Sequence, residues 1–143
     1  GYRYWRIDIT DANNADTYYE AGRMYLSEVW QPLKNISFGW EMRWIDPSTR
    51  QESRGGQLYI TPGVPYRDLR FKLSLLSQAE MYEEAFVLDR LRGTHGDVLA
   101  IVDPNDTLRL MDWSIYGVLE ARTPISNVVL ALYEKAFRLR ELV

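Results

Sequence analysis

At Ser77 the hydrophobic period of the chain changes. Before it, Leu69, Phe71, Leu73 and Leu75 alternate with Asp68, Arg70, Lys72 and Ser74, which predicts a strand over 68–75 with one buried and one wet face. After it, Ser77 and Glu80 form an S-x-x-E capping box, and Glu80, Glu83 and Glu84 crowd the positive end of the helix that the box opens. Ala79, Met81, Tyr82, Ala85, Phe86 and Leu88 then recur at helical spacing and cover about half of the circumference. Arg90 and Arg92 lie in the last turn, and Gly93 stands where a left-handed residue ends a helix. A strand running straight into a helix over 78–92 requires the helix to lie on a sheet.

The rest of the sequence reads mostly as strands. Residues 3–10 and 18–27 are strand candidates, separated by the Asx-rich stretch 11–16. Pro32 interrupts any ladder there, which sets a boundary between a small piece over 1–33 and a main body over 34–143. Phe38, Trp40, Met42 and Trp44 alternate with Ser37, Gly39, Glu41 and Arg43 as the next strand, and Trp40, Trp44 and Phe71 are assigned to the core. Asp46-Pro-Ser-Thr-Arg50 is a turn, Gln51 to Gly56 a mobile loop, and Leu58 and Ile60 a short strand ended by Pro62, Gly63 and Pro65. Thr94-His-Gly-Asp97 is a turn, and the continuous apolar run Val98 to Val102 predicts a strand buried on both faces. Trp113 to Glu120 is a further strand. In 128–140 the apolar phase shifts from Val128, Leu130 and Leu132 to Tyr133, Phe137 and Leu139, as either a β-bulge or a helical start would cause, and a bulged strand is the expectation. The expected fold is mainly β (α+β): an antiparallel β-sandwich or barrel with one flanking α-helix.

Composition narrows the chemistry. The 143 residues carry 17 Lys and Arg against 20 Asp and Glu, a net charge of -3, with no basic excess to hold nucleic acid. Without cysteine there is no disulfide, thiolate metal site or Cys nucleophile, and the single histidine, His95, reads as a solvated turn residue. Asp103-Pro-Asn-Asp106 lacks the full calcium-loop pattern and reads as a turn. No paired-acid motif, phosphate loop or 18-residue apolar span occurs. We therefore expect no catalytic residue, cofactor or metal, no nucleic-acid specificity and no membrane insertion. Hydrolysis of the cell wall is the weakest reading.

What needs a home is the aromatic set: 5 Trp, 10 Tyr and 4 Phe, 13% of the chain. Tyr18, Tyr19, Tyr25 and Trp30 crowd the first thirty residues, where little core is available. Tyr and Trp concentrate where proteins meet, and they also stack on sugar rings. Arg54, beside Gly55-Gly56, sits in a loop over 46–57 suited to reach a neighbouring subunit. Asp68, Arg70 and Lys72 on the strand, with Glu83, Glu84 and Arg90 on the helix, are candidates for salt bridges between subunits.

Two segments resemble known families. Arg3-Tyr-Trp-Arg-Ile-Asp-Ile9 with Tyr19-Glu-Ala-Gly-Arg-Met-Tyr-Leu26 resembles the closing strands of discoidin-like (galactose-binding-like) β-sandwich domains. That resemblance implies that 1–33 is a C-terminal remnant of such a domain and that the chain is the last part of a longer protein. The remainder is similar to minor tail proteins of long-tailed phages, the distal-tail or tail-tip class that includes the minor tail protein M family of lambda-like phages. The matching pieces are Ser53-Arg-Gly-Gly-Gln57, Tyr66 to Leu75 feeding a helix, Gly93, Asp103-Pro104, Ser114-Ile-Tyr-Gly117 and Phe137-Arg-Leu-Arg-Glu141. The family implies a tail-tube-like β-sandwich with no catalytic residues, located in the virion at the tail tip and assembled in the bacterial host cytoplasm. Its partners would be further copies in a ring, expected to be hexameric, together with tail-tube and tail-tip hub proteins. A carbohydrate-binding module for host-surface glycan is the alternative.

Overall fold

Alternating apolar residues and turn chemistry build eight strands in this chain, all of them after residue 40 among the described residues. The computed structural model describes residues 4–10, 15, 18, 19 and 24–143. In order the elements are β1 (Glu41–Ile45), β2 (Thr49–Glu52), β3 (Leu58–Thr61) and β4 (Tyr66–Ser77). A π-helical stretch, Glu80–Ala85, then continues into α1 (Phe86–Leu91). Next come β5 (Asp97–Ile101), a 3₁₀ turn at Thr107–Arg109, α2 (Leu110–Trp113), β6 (Ser114–Leu119), β7 (Ile125–Val129) and β8 (Leu132–Glu141). The fold is thus mainly β, with antiparallel sheets and two short helices.

Six strands form one antiparallel sheet in the order β1-β4-β8-β6-β5, with β7 paired to the first half of β8. The path ends at β1 and β5 and does not close into a barrel. Register decides which face is apolar. Leu69 lies opposite Leu139, Phe71 opposite Phe137 and Met42 opposite Leu69, so these side chains share one face. Leu119 opposite Leu139 brings β6 into the same layer. Leu69, Leu73, Leu76, Ile115, Leu119, Phe137 and Leu139 are the buried cluster, with Trp30, Ile36, Trp40 and Leu88 packed against it. Phe71 stacks on Phe137 with centroids 5.1 Å apart. Each fully buried Leu, Ile or Phe contributes about 1.5–3 kcal/mol.

The helix begins as the capping box requires. Ser77 N–H and Oγ–H both donate to Glu80 Oε2 at 2.9 Å, and Glu80 N–H returns a bond to Ser77 Oγ at 3.2 Å. Glu80 Oε1 also accepts from Leu33 N–H at 2.8 Å, which ties the segment before β1 to the helix start. Burial works to raise the Glu80 carboxyl, but the donors from Leu33 and Ser77 outweigh it and hold it below the ordinary range. Gly93, at φ +53°, ends the helix as expected. Its first half is π-helical instead of regular α.

Several expectations need correction. Alternation in β4 holds only through Leu73: the register shifts between Leu73 and Leu76, and Leu75 takes a left-handed φ of +59°. This bulge puts Leu76 in the core at 1% exposure and turns Leu75 outward at 48%. The phase shift in 128–140 does not lie within one strand, although β7 carries a register shift against β8 between Asn127 and Val129. It is a chain reversal at Leu130-Ala131, with Ala131 at φ +60°, which makes β7 and β8 a hairpin. The run Val98–Val102 belongs to an edge strand, so Val98 and Ala100 face the core while Leu99 and Ile101 are exposed. An apolar run does not encode a strand's place in the sheet. Phe38 and Trp44 also stay outside, Trp44 at 70% exposure, and only Trp40 and Met42 of that alternating set reach the core. Residues 4–10, 18, 19 and 24–27 form no strand, and residues 3 and 20–23 of those two strand expectations lie outside the described residues.

Candidate assembly interface

The segment expected to be a loop is an ordered hairpin. β2 and β3 pair from Thr49 opposite Thr61 to Glu52 opposite Leu58. Ser53 closes the tip: its N–H donates to Gln57 O at 2.9 Å, and its carbonyl accepts from Gly56 N–H at 2.9 Å. Gly56 there is at φ +81°, where a side chain would be strained. Arg54 sits exposed at this tip. The base is pinned as well, since Asp46 Oδ1 accepts from Ser48 N–H at 2.9 Å and Ser48 Oγ accepts from Gly63 N–H at 2.9 Å. The Ser48 hydroxyl and N–H, aided by the Arg50 charge, hold Asp46 below the usual carboxylate range against a small opposing effect of burial. Between pinned base and closed tip every strand residue is exposed, including Leu58, Tyr59 and Ile60 in sequence. An isolated two-stranded hairpin is marginal in water, so this arm presents apolar surface with little of its own to cover it.

On the sheet face opposite the core, Asp68 is clamped rather than wet. It is 0% exposed, although the alternation places it on the solvent side. Arg43 Nε donates to its Oδ2 at 3.0 Å, and Arg138 Nε donates to its Oδ1 at 3.0 Å. Arg70 Nε lies 3.3 Å from Oδ2, an ion pair without hydrogen-bond alignment, and that nitrogen is buried without a hydrogen-bond partner. The arginine stems, not a neighbouring layer, cover this carboxylate. Burial pushes the Asp68 carboxyl up; the bonds from Arg138 and Arg43 and the charges of Arg138 and Arg70 overcome that and hold it below the ordinary range. Arg138 also pairs with Glu120 at 2.7 Å, and Lys72 with Glu134 at 2.5 Å. Asp68 and Lys72 therefore have partners within the chain, while the guanidiniums of Arg43, Arg70 and Arg138 stay partly exposed. Arg43, Arg138 and Glu120 carry no local motif. Only strand register brings them together.

A shallow groove of about 340 Å³ crosses this face, lined by Ser37, Glu41, Arg70, Lys72, Thr123 and Arg138. Among the described residues, no three of His, Cys, Asp and Glu gather in a way that would hold a metal ion.

The aromatic candidates separate. Tyr25 packs edge-on against Tyr116 at 5.6 Å and donates to Asp97 O at 3.2 Å. Trp30 packs edge-on against Phe137 at 6.5 Å, with its indole nitrogen buried and without a hydrogen-bond partner. Both belong to the body of the fold. Tyr18 and Tyr19 are exposed. On the helix, Met81 and Ala85 face inward, whereas Tyr82, Glu83, Phe86 and Arg90 are exposed. Tyr82 and Phe86 stack on each other at 5.8 Å, an exposed aromatic pair one turn apart.

One buried pair escaped the sequence reading. Lys135, 2% exposed, shares the core face of β8 and donates to Asp89 of α1 and to Thr123 O. Its only signal is a lysine in the apolar phase of β8, opposite Leu73. No protein-family model and no curated protein matches the chain.

Proposed function

We propose that this chain is a structural component of a phage tail tip. In this reading it carries a tail-tube-like β-sandwich that self-assembles into a ring at the distal end of the tail tube and docks the host-recognition parts. The observation that carries the reading is the β2–β3 hairpin: its base and tip are pinned by hydrogen bonds, yet all of its strand residues are exposed. A built arm with uncovered Leu58, Tyr59 and Ile60 suits a protein whose neighbours supply the missing layer. The resemblance across residues 35–143 to distal-tail proteins points the same way, and the ring would be hexameric.

Native mass spectrometry or electron microscopy of the purified chain, alone and with tail-tube and hub proteins, tests this. Ring-shaped particles are expected. A particle that remains a monomer under both conditions removes the proposal. The glycan-binding alternative draws on the exposed rings of Tyr4, Trp5, Tyr18 and Tyr19.

A further inference from the structure

The two charged surfaces of this chain are complementary to each other and lie on opposite sides of the molecule. The sheet face away from the core carries Arg43, Arg70, Lys72, Arg138 and Arg140 against four carboxylates, Asp68, Glu41, Glu120 and Glu134, of which Glu134 is paired with Lys72. Asp68 is wholly buried, so its charge is spent on the arginines above it and the exposed rim is guanidinium. Arg70 is the least satisfied, with a buried Nε that makes no hydrogen bond. The helix packs on the other face of the same sheet, where Met81 and Ala85 are buried. Its solvent side presents Glu83 and Glu84 against Arg90, with the stacked rings of Tyr82 and Phe86 beside them. Carboxylates take the fork of an arginine in paired hydrogen bonds, and aromatic faces accept its flat side. The platform already uses the second mode, with Arg140 lying 4.3 Å over the Tyr66 ring.

We infer that the Tyr82–Glu83–Glu84–Phe86 surface of one copy docks on the Arg43–Arg70–Arg138 platform of the next, Glu83 and Glu84 supplying the carboxylates. Because the two surfaces are different patches on opposite layers, the contact is head-to-tail, and repeated contacts generate a ring when the rotation between copies closes. This rests on the ring-forming reading above and names the surface that would carry it. The β2–β3 hairpin would act beside it, not in place of it.

The test is a mixing experiment on the purified full chain, read by native mass spectrometry and sedimentation. The platform variant is Arg70→Glu, with Arg70→Gln as a second version that keeps the stem without adding a charge. The helix variant is Glu83→Lys combined with Glu84→Lys. Circular dichroism and urea midpoints establish that each is folded. Each variant alone should assemble at least about tenfold more weakly than wild type. An equimolar mixture of Arg70→Gln with the helix variant should form a one-to-one dimer through the two intact surfaces and stop there, because the two altered surfaces carry no opposite charges. Raising salt from about 0.1 M to about 1 M should dissociate the wild-type assembly. If folded variants assemble as wild type does, or the mixture stays monomeric, the inference is overturned while the ring reading survives. A wild-type chain that is monomeric alone also overturns it; only monomers in the presence of tail proteins remove the ring reading too.

Discussion

Arg138 and Asp68, separated by 70 residues in the chain, meet with Nε 3.0 Å from Oδ1 and with NH2 reaching Oδ2 at 3.4 Å. Their strands pair with Arg70 opposite Arg138, which sets three arginines around one carboxylate that none of them flanks by motif. Removing the carboxylate leaves like charges facing each other. Asp68→Ala should cost about 1.5–3 kcal/mol, the range for losing hydrogen bonds to a charged group, because the guanidiniums left behind still reach water. Arg43→Ala, which removes one donor of three and a half-exposed one, should cost about 1 kcal/mol or less. Urea midpoints compare them, and equal losses would contradict the clamp.

Lys135 and Asp89 form a second test of buried charge, because the lysine sits on the core face and is nearly inaccessible. Asp89→Ala strands the ammonium and should cost about 3–5 kcal/mol. Lys135→Met keeps the stem but leaves the Asp89 carboxylate without its cation; that carboxylate is less buried than the ammonium, so the loss should be smaller, about 1–3 kcal/mol. Should Lys135→Met prove the worse of the two, this ordering by burial is wrong.

Acid should weaken the fold through Asp68, Glu80 and Glu141. For Glu141, burial pushes the carboxyl up, but the Arg67 guanidinium and N–H bonded to it prevail and hold it low. All three groups have folded values below their ordinary 3.8 or 4.5. A lowered folded value means that the stabilisation is complete above the ordinary value and is lost as pH falls through the folded one. Urea midpoints should be level from about pH 7 to about pH 5 and should fall below about pH 4. A midpoint that rises on acidification would exclude this linkage.

Glycine tolerance should differ sharply between tip and sheet. A Cβ on Gly117 would lie 2.1 Å from the Arg140 carbonyl oxygen, whereas one on Gly55 would meet only Ser53 Oγ at 3.9 Å. Gly117→Ala should therefore lose more than about 3 kcal/mol or fail to fold, and Gly55→Ala should change stability by less than about 0.5 kcal/mol. Thermal melts of the two side by side are sufficient to decide.

The glycan alternative can be examined cleanly only with exposed residues. Trp30 packs on Phe137, so Trp30→Ala should lower stability by about 2–4 kcal/mol whatever the chain binds. Tyr19 is exposed. A glycan array on which wild type binds and Tyr19→Ala does not would favour sugar recognition over assembly.

Local features were legible in the residues alone. The capping box at Ser77 and Glu80, the left-handed stop at Gly93, the Asp103 turn and the apolar face from Leu69 to Leu73 depend on side chains within a few positions of each other. Where a strand lies in the sheet, and what stands across from it, depends on register between segments far apart. That is why Asp68 reads as solvent-facing by alternation yet is buried by Arg43, Arg70 and Arg138, and why Val98–Val102 reads as buried on both faces yet leaves Leu99 and Ile101 exposed. It is also why Leu76 displaces Leu75 from the core, through one residue inserted in β4 relative to β8. Periodicity specifies a face; only pairing across the sheet specifies what that face meets.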